Sequence, residues 1–332
     1  MHAIRLHAFG PAENLAYERV ADPEPAPGQV RVVVAAAGVH VLDTALRQGE
    51  LGPYPEPPQL PTIPGREVAG TVDALGEGVD QRWLGRRVVA HLGLAPGGYA
   101  EKAVVAVEKL HELPDGLRED HAIAMIGTGR TTMAVLRFSD LTADDVAIVT
   151  AAAGGIGSLL VQHAKNVGAT VIGLAGGPEK VARVRELGAD VAVDYTADDW
   201  TAQVRAALGG RERAATALFD AVGGDVARDA VGLLAPGGRH LVYGWSGGGP
   251  LKLTAEELAE LGVTSLSVLE TAEWRAFVSR PGAVRELEEK AMAEAASGRL
   301  VPLVHRFPLA EAARAHTALE TRGTIGKVVL VP

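Results

Sequence analysis

The sequence predicts an α/β protein in which a β-rich segment precedes a doubly wound parallel sheet of the nucleotide-binding type. A glycine-rich loop at residues 146–157 joins a strand pattern to a helix pattern. Strands and helices then alternate, as they do in a parallel sheet covered by helices on both faces. Before the loop, strand patterns occur without a long helix. The length of 332 residues agrees with two domains of roughly 150 residues each.

The glycine loop reads VAIVTAAAGGIG and runs directly into the helical pattern SLLVQHAKNVGA. The first amides of a helix lack partners and carry partial positive charge, so such a turn can bind a pyrophosphate. Ala152 replaces the first glycine of the usual pattern, whereas Gly154 and Gly157 keep the positions for phosphate approach and helix packing. A tight turn alone would also select glycine, but the alternation that follows favours dinucleotide binding. The predicted cofactor residues here are Ala153, Gly154, Gly155, Ile156 and Gly157.

Short β-branched segments alternate with helical segments after this loop. The predicted strands are 169–175, 190–194, 217–222, 238–243 and, closing the sheet, 263–269. The predicted helices are 178–187, 198–208 and 226–234. This spacing indicates crossover units that place neighbouring strands parallel to one another.

Four strand patterns fill the first part of the chain, separated by turn-forming proline and glycine clusters. They lie at 29–37, 67–75, 86–92 and 99–107, and the first long helix pattern begins near residue 119. A helix at 284–297 and a strand at 325–331 supply too few residues for a new core. We therefore expect one domain at 1–122, a second at 123–269, and a return to the first at 270–332.

Composition and charge exclude several functional classes. The 32 lysines and arginines stand against 41 aspartates and glutamates, a formal charge of −9, which disfavours nucleic acid and anionic membranes as partners. The absence of cysteine removes disulfides, thiolate zinc sites and cysteine nucleophiles. Neither a signal-peptide pattern nor an apolar run of about 18 residues is present. We therefore expect a cytoplasmic protein.

Six segments carry a resemblance that spans nearly the whole chain. They are GVHVLDTALRQG at 38–49, PTIPGREVAGTV at 61–72, LGRRVVA at 84–90, GGYAE at 97–101, AAAGGIG at 151–157 and GTIGKVVLVP at 323–332. In this order they resemble the medium-chain dehydrogenase/reductases, and more narrowly the zinc-independent quinone oxidoreductase and zeta-crystallin branch. The resemblance implies a GroES-like domain, an inserted Rossmann domain, a return to the first domain, and a homodimer.

The metal-binding motif of zinc-dependent relatives is altered in this sequence. Those relatives bind zinc through cysteines and the histidine of a GHE motif, but here the motif is Gly65-Arg66-Glu67 and cysteine is absent. Arginine keeps its proton and cannot ligate a metal. None of the ten histidines forms an HxxxH or HExxH pair. We therefore predict no metal site.

Without a Lewis acid to polarise an alcohol or carbonyl oxygen, alcohol oxidation is disfavoured. The hydride acceptor must therefore be one that reacts without such polarisation of its oxygen. The resemblance implies hydride transfer to a quinone or to an α,β-unsaturated carbonyl (an enone) and does not separate the two. We favour a quinone. A protein that binds NADPH with little turnover, and a structural α/β protein without cofactor, remain alternatives.

The end of the second strand of the nucleotide domain bears on the choice between NADH and NADPH. An acid there usually accepts from the ribose hydroxyls when the 2′-phosphate is absent, but Gly176 and Gly177 occupy the position and the next acid is Glu179. The residues that the resemblance places around the adenosine phosphate are Lys180, Tyr195 and Arg322. NADPH is therefore predicted. A solvated lysine and a packing tyrosine are the alternative interpretations.

Further cofactor contacts are predicted near the nicotinamide. Thr131 resembles a family threonine at that position. Gly244, Trp245 and Ser246 follow the fifth strand, at the edge where open α/β sheets bind ligands. Trp245 replaces a small polar residue of the family, and packing between domains is its alternative interpretation.

The predicted substrate-side residues are His40, Asp43 and Tyr54. His40 stands where family members often have asparagine, and its imidazolium can donate a proton or a hydrogen bond to a forming oxyanion. Asp43 matches a family aspartate and is as suited to fixing the loop backbone. Tyr54 corresponds to a family tyrosine in the cleft, with loop stabilisation as the alternative.

Overall fold

The computed structural model describes residues 1–52, 56–247 and 249–332, which divide into two compact units. The first unit contains residues 1–128 and 302–332, and the second contains residues 129–301. The return to the first domain is expected from residue 270, but the segment from there to residue 301 lies in the second unit.

Strands dominate the first unit. Its elements before residue 124 are β1 (His2–Leu6), β2 (Leu15–Arg19), β3 (Gln29–Val39), α1 (Val41–Gln48), β4 (Glu67–Leu75), β5 (Arg87–His91), β6 (Lys102–Ala106), β7 (His111–Glu112) and α2 (Glu119–Ile123). A π-helical segment follows at Ala124–Gly129. The observed β4 has the predicted bounds, and β3, β5 and β6 lie within a few residues of theirs. The β1–β2 hairpin and α1 were not predicted.

The elements of the second unit alternate between helix and strand. They are α3 (Arg130–Leu136), β8 (Val146–Val149), α4 (Gly155–Asn166), β9 (Thr170–Ala175), α5 (Pro178–Glu186), β10 (Val191–Asp194), α6 (Trp200–Ala207), β11 (Ala215–Asp220), α7 (Gly224–Val231), β12 (Leu234–Val242), α8 (Ala255–Leu261), β13 (Thr264–Ser267), α9 (Ala272–Val278) and α10 (Ala283–Ala296).

The sheet of the second unit has the strand order β10-β9-β8-β11-β12-β13. Each of these neighbouring pairs is parallel. The chain reverses its direction of travel across the sheet at β8 and β11, which is the doubly wound Rossmann arrangement. The mixed α/β fold class predicted from the sequence is therefore confirmed.

The last elements of the chain complete the sheet of the first unit. They are β14 (Val304–Pro308), α11 (Ala312–Glu320) and β15 (Lys327–Val331). β15 pairs antiparallel with β3 and parallel with β14, giving the order β14-β15-β3-β4-β5-β7 with β6 paired to β3. Alternation on β3 shows why the sheet holds a core: Val30 and Val32 are fully buried whereas Val33 is 41% exposed.

The segment before residue 302 stays with the second unit because its helix packs there. α10 packs against α3, and Arg130 Nη1 donates to Glu288 Oε1 at 3.0 Å. The amide of Val301 also donates to Gln162 Oε1 at 2.8 Å. Among the described residues, no helix is long and apolar enough to cross a bilayer.

Candidate functional site

The glycine loop between β8 and α4 is tight enough to restrict which residues fit. Ala151 has a φ of +47°, a left-handed conformation that residues with a side chain seldom adopt. A Cβ on Gly157 would lie 2.3 Å from the carbonyl oxygen of Ala151 and 2.9 Å from the Cα of Ala152. No side chain fits there without moving backbone. The turn therefore depends on Gly157 for the close approach of α4 to the strand end.

The predicted loop residues stand at the start of a twelve-residue helix. Gly154 is the N-cap of α4, and Gly155, Ile156 and Gly157 form its first turn. Amides in a first helical turn have no partner within the helix. Ala153 is buried beside them. The loop thus presents amides and the positive end of a helix dipole, which suits a pyrophosphate.

A second part of the expected cofactor site lies where β9 ends. Gly177 has a φ of +90° and opens α5, with Lys180 in its first turn. A Cβ on Gly176 would lie 3.4 Å from the hydroxyl oxygen of Tyr195, so Tyr195 borders this turn. The structure brings these four predicted residues together on one edge of the second unit. Their roles in binding remain predictions.

An acid that the sequence analysis overlooked borders the same turn. Asp194, at the end of β10, accepts from the Thr196 hydroxyl at 2.6 Å and the Thr196 amide at 3.0 Å. The Thr196 hydroxyl and the Gly177 amide hold the pKa of Asp194 below its usual value. The sequence predicts this edge from the end of β9 alone, whereas the neighbouring parallel strand β10 ends beside it, with Asp194 opposite Ala175.

The ends of β8 and β11 carry a buried polar network. Thr150 Oγ1 donates to Asp220 Oδ1 at 3.2 Å and accepts from the Ala221 amide at 2.9 Å. Asp220 Oδ2 lies 3.4 Å from His240 Nε2. Burial acts to raise the pKa of Asp220, but the hydrogen bonds from His240 and from the Val222 and Gly223 amides hold it below its usual value. This network, which the sequence analysis missed, fixes the turn after β11.

The loop after β12 lies against that turn. Ser246 donates from its amide at 2.9 Å and from its hydroxyl at 3.1 Å to the carbonyl oxygen of Ala221. Trp245 is 50% exposed, and Gly244 precedes it. The structure therefore places the predicted segment at the carboxyl edge of the sheet. Its contacts with a cofactor remain predictions.

Thr131 and Arg322 belong to different units. Thr131 lies on α3 and lines a pocket of the second unit with Leu269, Trp274 and Leu287. Arg322 lies in the first unit, after α11, with a φ of +57°. Tyr54, the third predicted substrate-side residue, lies outside the described residues.

The first unit contains a buried charge cluster formed by His40, Asp43, Arg66, Glu67 and Lys327. His40 Nε2 lies 2.9 Å from Glu67 Oε1, and His40 Nδ1 lies 3.3 Å from Asp43 Oδ2. The His40 amide donates to Asp43 Oδ2 at 2.8 Å, which caps the start of α1. The side chain of His40 is 20% exposed, but those of Asp43 and Glu67 are buried. His40 is therefore oriented by two carboxylates and keeps one exposed edge.

Glu67 connects β4 to the last strand of the chain. Its Oε2 lies 3.0 Å from Lys327 Nζ, an ion pair that lacks good hydrogen-bond geometry. A Cβ on Gly38 or Gly127 would lie within 2.0 Å of a Glu67 carboxylate oxygen, so both glycines make room for it. Burial acts to raise the pKa of Glu67, but the charges of His40 and Lys327 hold it well below its usual value.

Asp43 carries a second branch of the network into the core. The Tyr99 hydroxyl donates to Asp43 Oδ2 at 3.1 Å and lies 3.2 Å from His316 Nε2. Because the only Tyr99 hydroxyl proton goes to Asp43, His316 Nε2 must carry the proton that it shares with the Tyr99 oxygen. Burial lowers the pKa of His316 to about 4. Burial and the Asp43 charge raise the pKa of Tyr99 well above its usual value.

Arg66 lies where zinc-dependent relatives have a histidine ligand. Its Nε is 3.4 Å from Asp43 Oδ1, and its side chain is 11% exposed. A guanidinium has no lone pair for a metal, and the neighbouring His40 nitrogens already face carboxylates. In residues 1–52, 56–247 and 249–332, no group of three or more His, Asp or Glu side chains is arranged to bind a metal. The donor set does not fit zinc.

Comparison with known families gives two matches. Residues 26–115 match the alcohol dehydrogenase GroES-like domain, and residues 155–281 match the domain described as zinc-binding dehydrogenase. The second description names zinc, but the residues around Arg66, which lie in the first matched segment, do not fit that metal.

Individual relatives match over nearly their whole length. A quinone oxidoreductase of Pseudomonas aeruginosa is 35% identical over 99% of both chains, and a 2-haloacrylate reductase of Burkholderia sp is 32% identical over 99% of this chain and 98% of its own. The crystal structure of Escherichia coli quinone oxidoreductase complexed with NADPH is 29% identical, covers both chains completely and has a TM-score of 0.82. The chain therefore belongs to the medium-chain dehydrogenase/reductase family, in its quinone oxidoreductase branch, and is an oxidoreductase of the type that uses a nicotinamide cofactor.

Proposed function

We propose that the protein reduces quinones with NADPH and without zinc. The observation that carries this proposal is the pair between Arg66 Nε and Asp43 Oδ1 at the position of a zinc ligand in metal-dependent relatives. A guanidinium paired in this way cannot serve as a Lewis acid toward an alcohol or carbonyl oxygen. The acceptor must therefore be electron-poor by itself. A quinone meets this requirement, and the quinone oxidoreductase relatives support it.

The second unit fits NADPH at two places. The first turn of α4 offers amides for the pyrophosphate, and Gly176 and Gly177 themselves carry no acidic side chain, although Asp194 borders their turn. Lys180 and Tyr195 border that turn and supply a cation and a hydroxyl for the 2′-phosphate. When bound, NADPH supplies the hydride.

His40 is the proposed proton donor on the substrate side. Reduction of a quinone carbonyl leaves an oxyanion, which a nearby N–H can stabilise or protonate. Glu67 and Asp43 hold the two ring nitrogens of His40, so the ring is oriented before substrate binds, and proton donation requires one of these two contacts to open toward the oxyanion. Asp43 acts through His40 and the α1 backbone. It is a positioning residue in this proposal.

Enone reduction is the second candidate. The 2-haloacrylate reductase of Burkholderia sp, at 32% identity, favours it because its substrate name denotes a conjugated alkene. The same hydride donor and the same His40 serve this reaction, with the proton delivered to carbon or to a carbonyl oxygen. A protein that binds NADPH with little turnover is the candidate of another class.

An acceptor screen with both cofactors tests the proposal. We expect turnover of 1,4-benzoquinone with NADPH to exceed that with NADH, and turnover of simple alcohols to be negligible. Turnover of an enone but not of the quinone would select the second candidate. Tight NADPH binding, seen as quenched tryptophan fluorescence, without turnover of any acceptor would support a binding protein.

Zinc independence has its own test. We expect purified protein to contain no stoichiometric zinc and to keep its turnover in excess chelator, because Arg66 occupies the ligand position and cysteine is absent. Elemental analysis by mass spectrometry measures the metal content. One tightly bound zinc per chain, with turnover lost on its removal, would contradict the mechanism.

A homodimer and a cytoplasmic location are also proposed, since the resemblance to quinone oxidoreductases supports the first and the composition supports the second. Light scattering on the purified protein measures the assembly, and fractionation of the producing cells measures the location. A monomer at all concentrations, or recovery with membranes, would reject the respective proposal.

A further inference from the structure

A pocket in the first unit combines an apolar wall with arginines. Its volume is about 480 Å³, including space open to solvent. The apolar residues that line it are Leu6, Leu46, Pro58, Pro64, Leu94 and Pro96. Asp43, Arg47 and Arg66 line it as well. Two guanidinium groups thus share the lining with one carboxylate.

The Asp43 carboxylate already accepts hydrogen bonds from groups other than the two arginines. Asp43 Oδ2 accepts from the Tyr99 hydroxyl at 3.1 Å and from the His40 amide at 2.8 Å. Arg66 reaches Asp43 only through Nε, at the long distance of 3.4 Å. A guanidinium carries five N–H donors in a planar fork. Most of the hydrogen-bonding capacity of Arg66 is therefore not used by Asp43.

Arg47 adds positive charge at the same pocket. Its side chain is 2% exposed, and its Nη2 pairs with Glu320. Its Nε and Nη1 are buried without a hydrogen-bond partner in the part of the chain that the structure describes. Glu320 offsets the charge of Arg47, so Arg66, whose side chain is 11% exposed, supplies the guanidinium that an anion in the pocket can reach.

Planar two-oxygen anions match a guanidinium best, because two parallel N–H groups donate to both oxygens. The apolar wall provides contact for a carbon skeleton, and the exposed Leu94, at 55%, is available at the lining. We propose that Arg66 is the specificity residue that binds the carboxylate of an α,β-unsaturated acid. The inference rests on the second candidate function, the reduction of a conjugated alkene, and assigns its substrate class.

The carboxylate of the substrate affects how readily hydride adds to its conjugated alkene. Hydride adds poorly to a conjugated carboxylate because the product carries additional negative charge, and an arginine ion pair offsets that charge. The alkene gains a hydride from NADPH at its β-carbon and a proton from water or a protein donor at its α-carbon. Its carbon–carbon π bond is lost, the carboxylate is unchanged, and NADP⁺ is the other product.

A matched pair of substrates isolates the role of charge. Wild-type protein is compared on 2-chloroacrylate and on its uncharged methyl ester, with 1,4-benzoquinone as a reference acceptor. We expect wild-type kcat/KM to be higher for the acid than for the ester. Arg66→Gln should lower the acid-to-ester ratio about 10- to 100-fold, mainly through KM, because a charge-assisted contact of about 1.5–3 kcal/mol is lost. Arg66→Lys should recover part of the ratio.

The control is Arg87→Gln, because Arg87 pairs with Glu119 in the same unit and outside the pocket. We expect it to leave the acid-to-ester ratio unchanged. Binding without turnover is measured as the thermal shift with 2-chloropropionate, which should vanish in Arg66→Gln and return in part in Arg66→Lys. Inorganic phosphate is the second probe, and an equal shift with phosphate would reject a carboxylate site.

The outcomes separate the two proposals. If wild-type protein reduces the quinone or the ester but does not prefer the acid, the carboxylate inference is wrong, and the acceptor that is reduced decides between the two candidate functions. If no acceptor is reduced, the proposed function is wrong, and the thermal shifts still decide whether Arg66 binds a carboxylate. Equal losses on acid and ester in both Arg66 variants would make Arg66 structural.

Discussion

The two units prepare their sites by different means. The second unit uses backbone: Gly157 allows α4 to approach the strand end, and Gly176 and Gly177 contribute no side chains of their own at the end of β9. The first unit uses side chains that meet across the fold, since Glu67 on β4 joins His40 before α1 to Lys327 on β15. A site built from backbone is therefore encoded by consecutive residues and can be recognised in the sequence. A side-chain network depends on contacts between residues that are distant in sequence.

The glycine turns and the buried charge cluster should also respond differently to substitution. A glycine site fails when a side chain obstructs it, and neighbouring groups keep their partners. In the charge cluster, removal of one member leaves another charge buried without its partner, which is costly in a low-dielectric interior. The following predictions test this difference, beginning with the largest expected effect.

Glu67→Gln should destabilise the protein most. The change removes a fully buried carboxylate and leaves Lys327, whose side chain is 4% exposed, as an unpaired cation. Breaking a buried ion pair in this way costs about 3–5 kcal/mol. Urea unfolding measures the loss. Glu67→Gln combined with Lys327→Met should recover part of it, because both charges are then gone.

Asp73→Asn is the control for Glu67→Gln. Asp73 lies on the same strand, is 28% exposed and pairs with Arg31, so its loss should cost at most about 1 kcal/mol. Equal effects of the two substitutions would mean that the cluster is no more sensitive than a surface ion pair.

His316 should make stability depend on pH. Burial lowers its pKa from 6.5 to about 4, so the unfolded chain binds the extra proton first as the pH falls. Stability is therefore lost between about pH 6.5 and pH 4, by about 3 kcal/mol in total. His316→Gln should remove this part of the pH dependence and leave the part due to carboxylates.

The measurement is urea unfolding of wild-type and His316→Gln protein near pH 7 and near pH 4. His7→Gln is the control, since His7 is 54% exposed. If wild-type protein and His316→Gln lose equal stability over this range, His316 takes up a proton as readily in the folded protein as in the unfolded chain.

His40→Ala should lower turnover about 100-fold, the contribution of a positioned general acid, and leave NADPH affinity nearly unchanged because His40 lies outside the Rossmann unit. His40→Asn should recover part of the orienting effect, since an amide can still donate to Glu67. Steady-state kinetics and NADPH titration by fluorescence measure the two effects. Full turnover in both variants would show that His40 has only a structural role, and the proton would then come from Tyr54 or from water.

The sequence predicts the second unit well and the first unit less completely. The Rossmann strands and the loop at Gly154 and Gly157 follow from period and glycine spacing, which are local signals. The motifs also indicated His40 and Asp43. Their link to Glu67 was not predictable from local patterns, because His40 and Glu67 are separated by 27 positions and no local signal indicates the pairing. Gly127 shows the same limit, because its local sequence does not reveal that it makes room for the Glu67 carboxylate.

Short elements were missed for a related reason. α1 has eight residues and was absent from the prediction, because its start depends on the amide of His40 donating to Asp43, a cap that neither residue type makes obvious. β14 was missed as well, since its pairing with β15 is a tertiary contact. Both belong to the unit in which distant residues define the structure.

Lys180→Ala should have the smallest effect and should act on one cofactor only. Lys180 is partly exposed in the first turn of α5, so solvent weakens its contact with a phosphate, and about 1.5 kcal/mol or tenfold in NADPH affinity is expected. NADH lacks the 2′-phosphate, so its affinity should hardly change. Titration of both cofactors against wild-type and variant protein gives the two ratios, with Lys165→Ala, a lysine paired with Asp190, as the control. Equal weakening of both cofactors would show that Lys180 supports the fold. A wild-type preference for NADH would show that Asp194, which accepts from the Gly177 amide, outweighs Lys180 in the choice of cofactor.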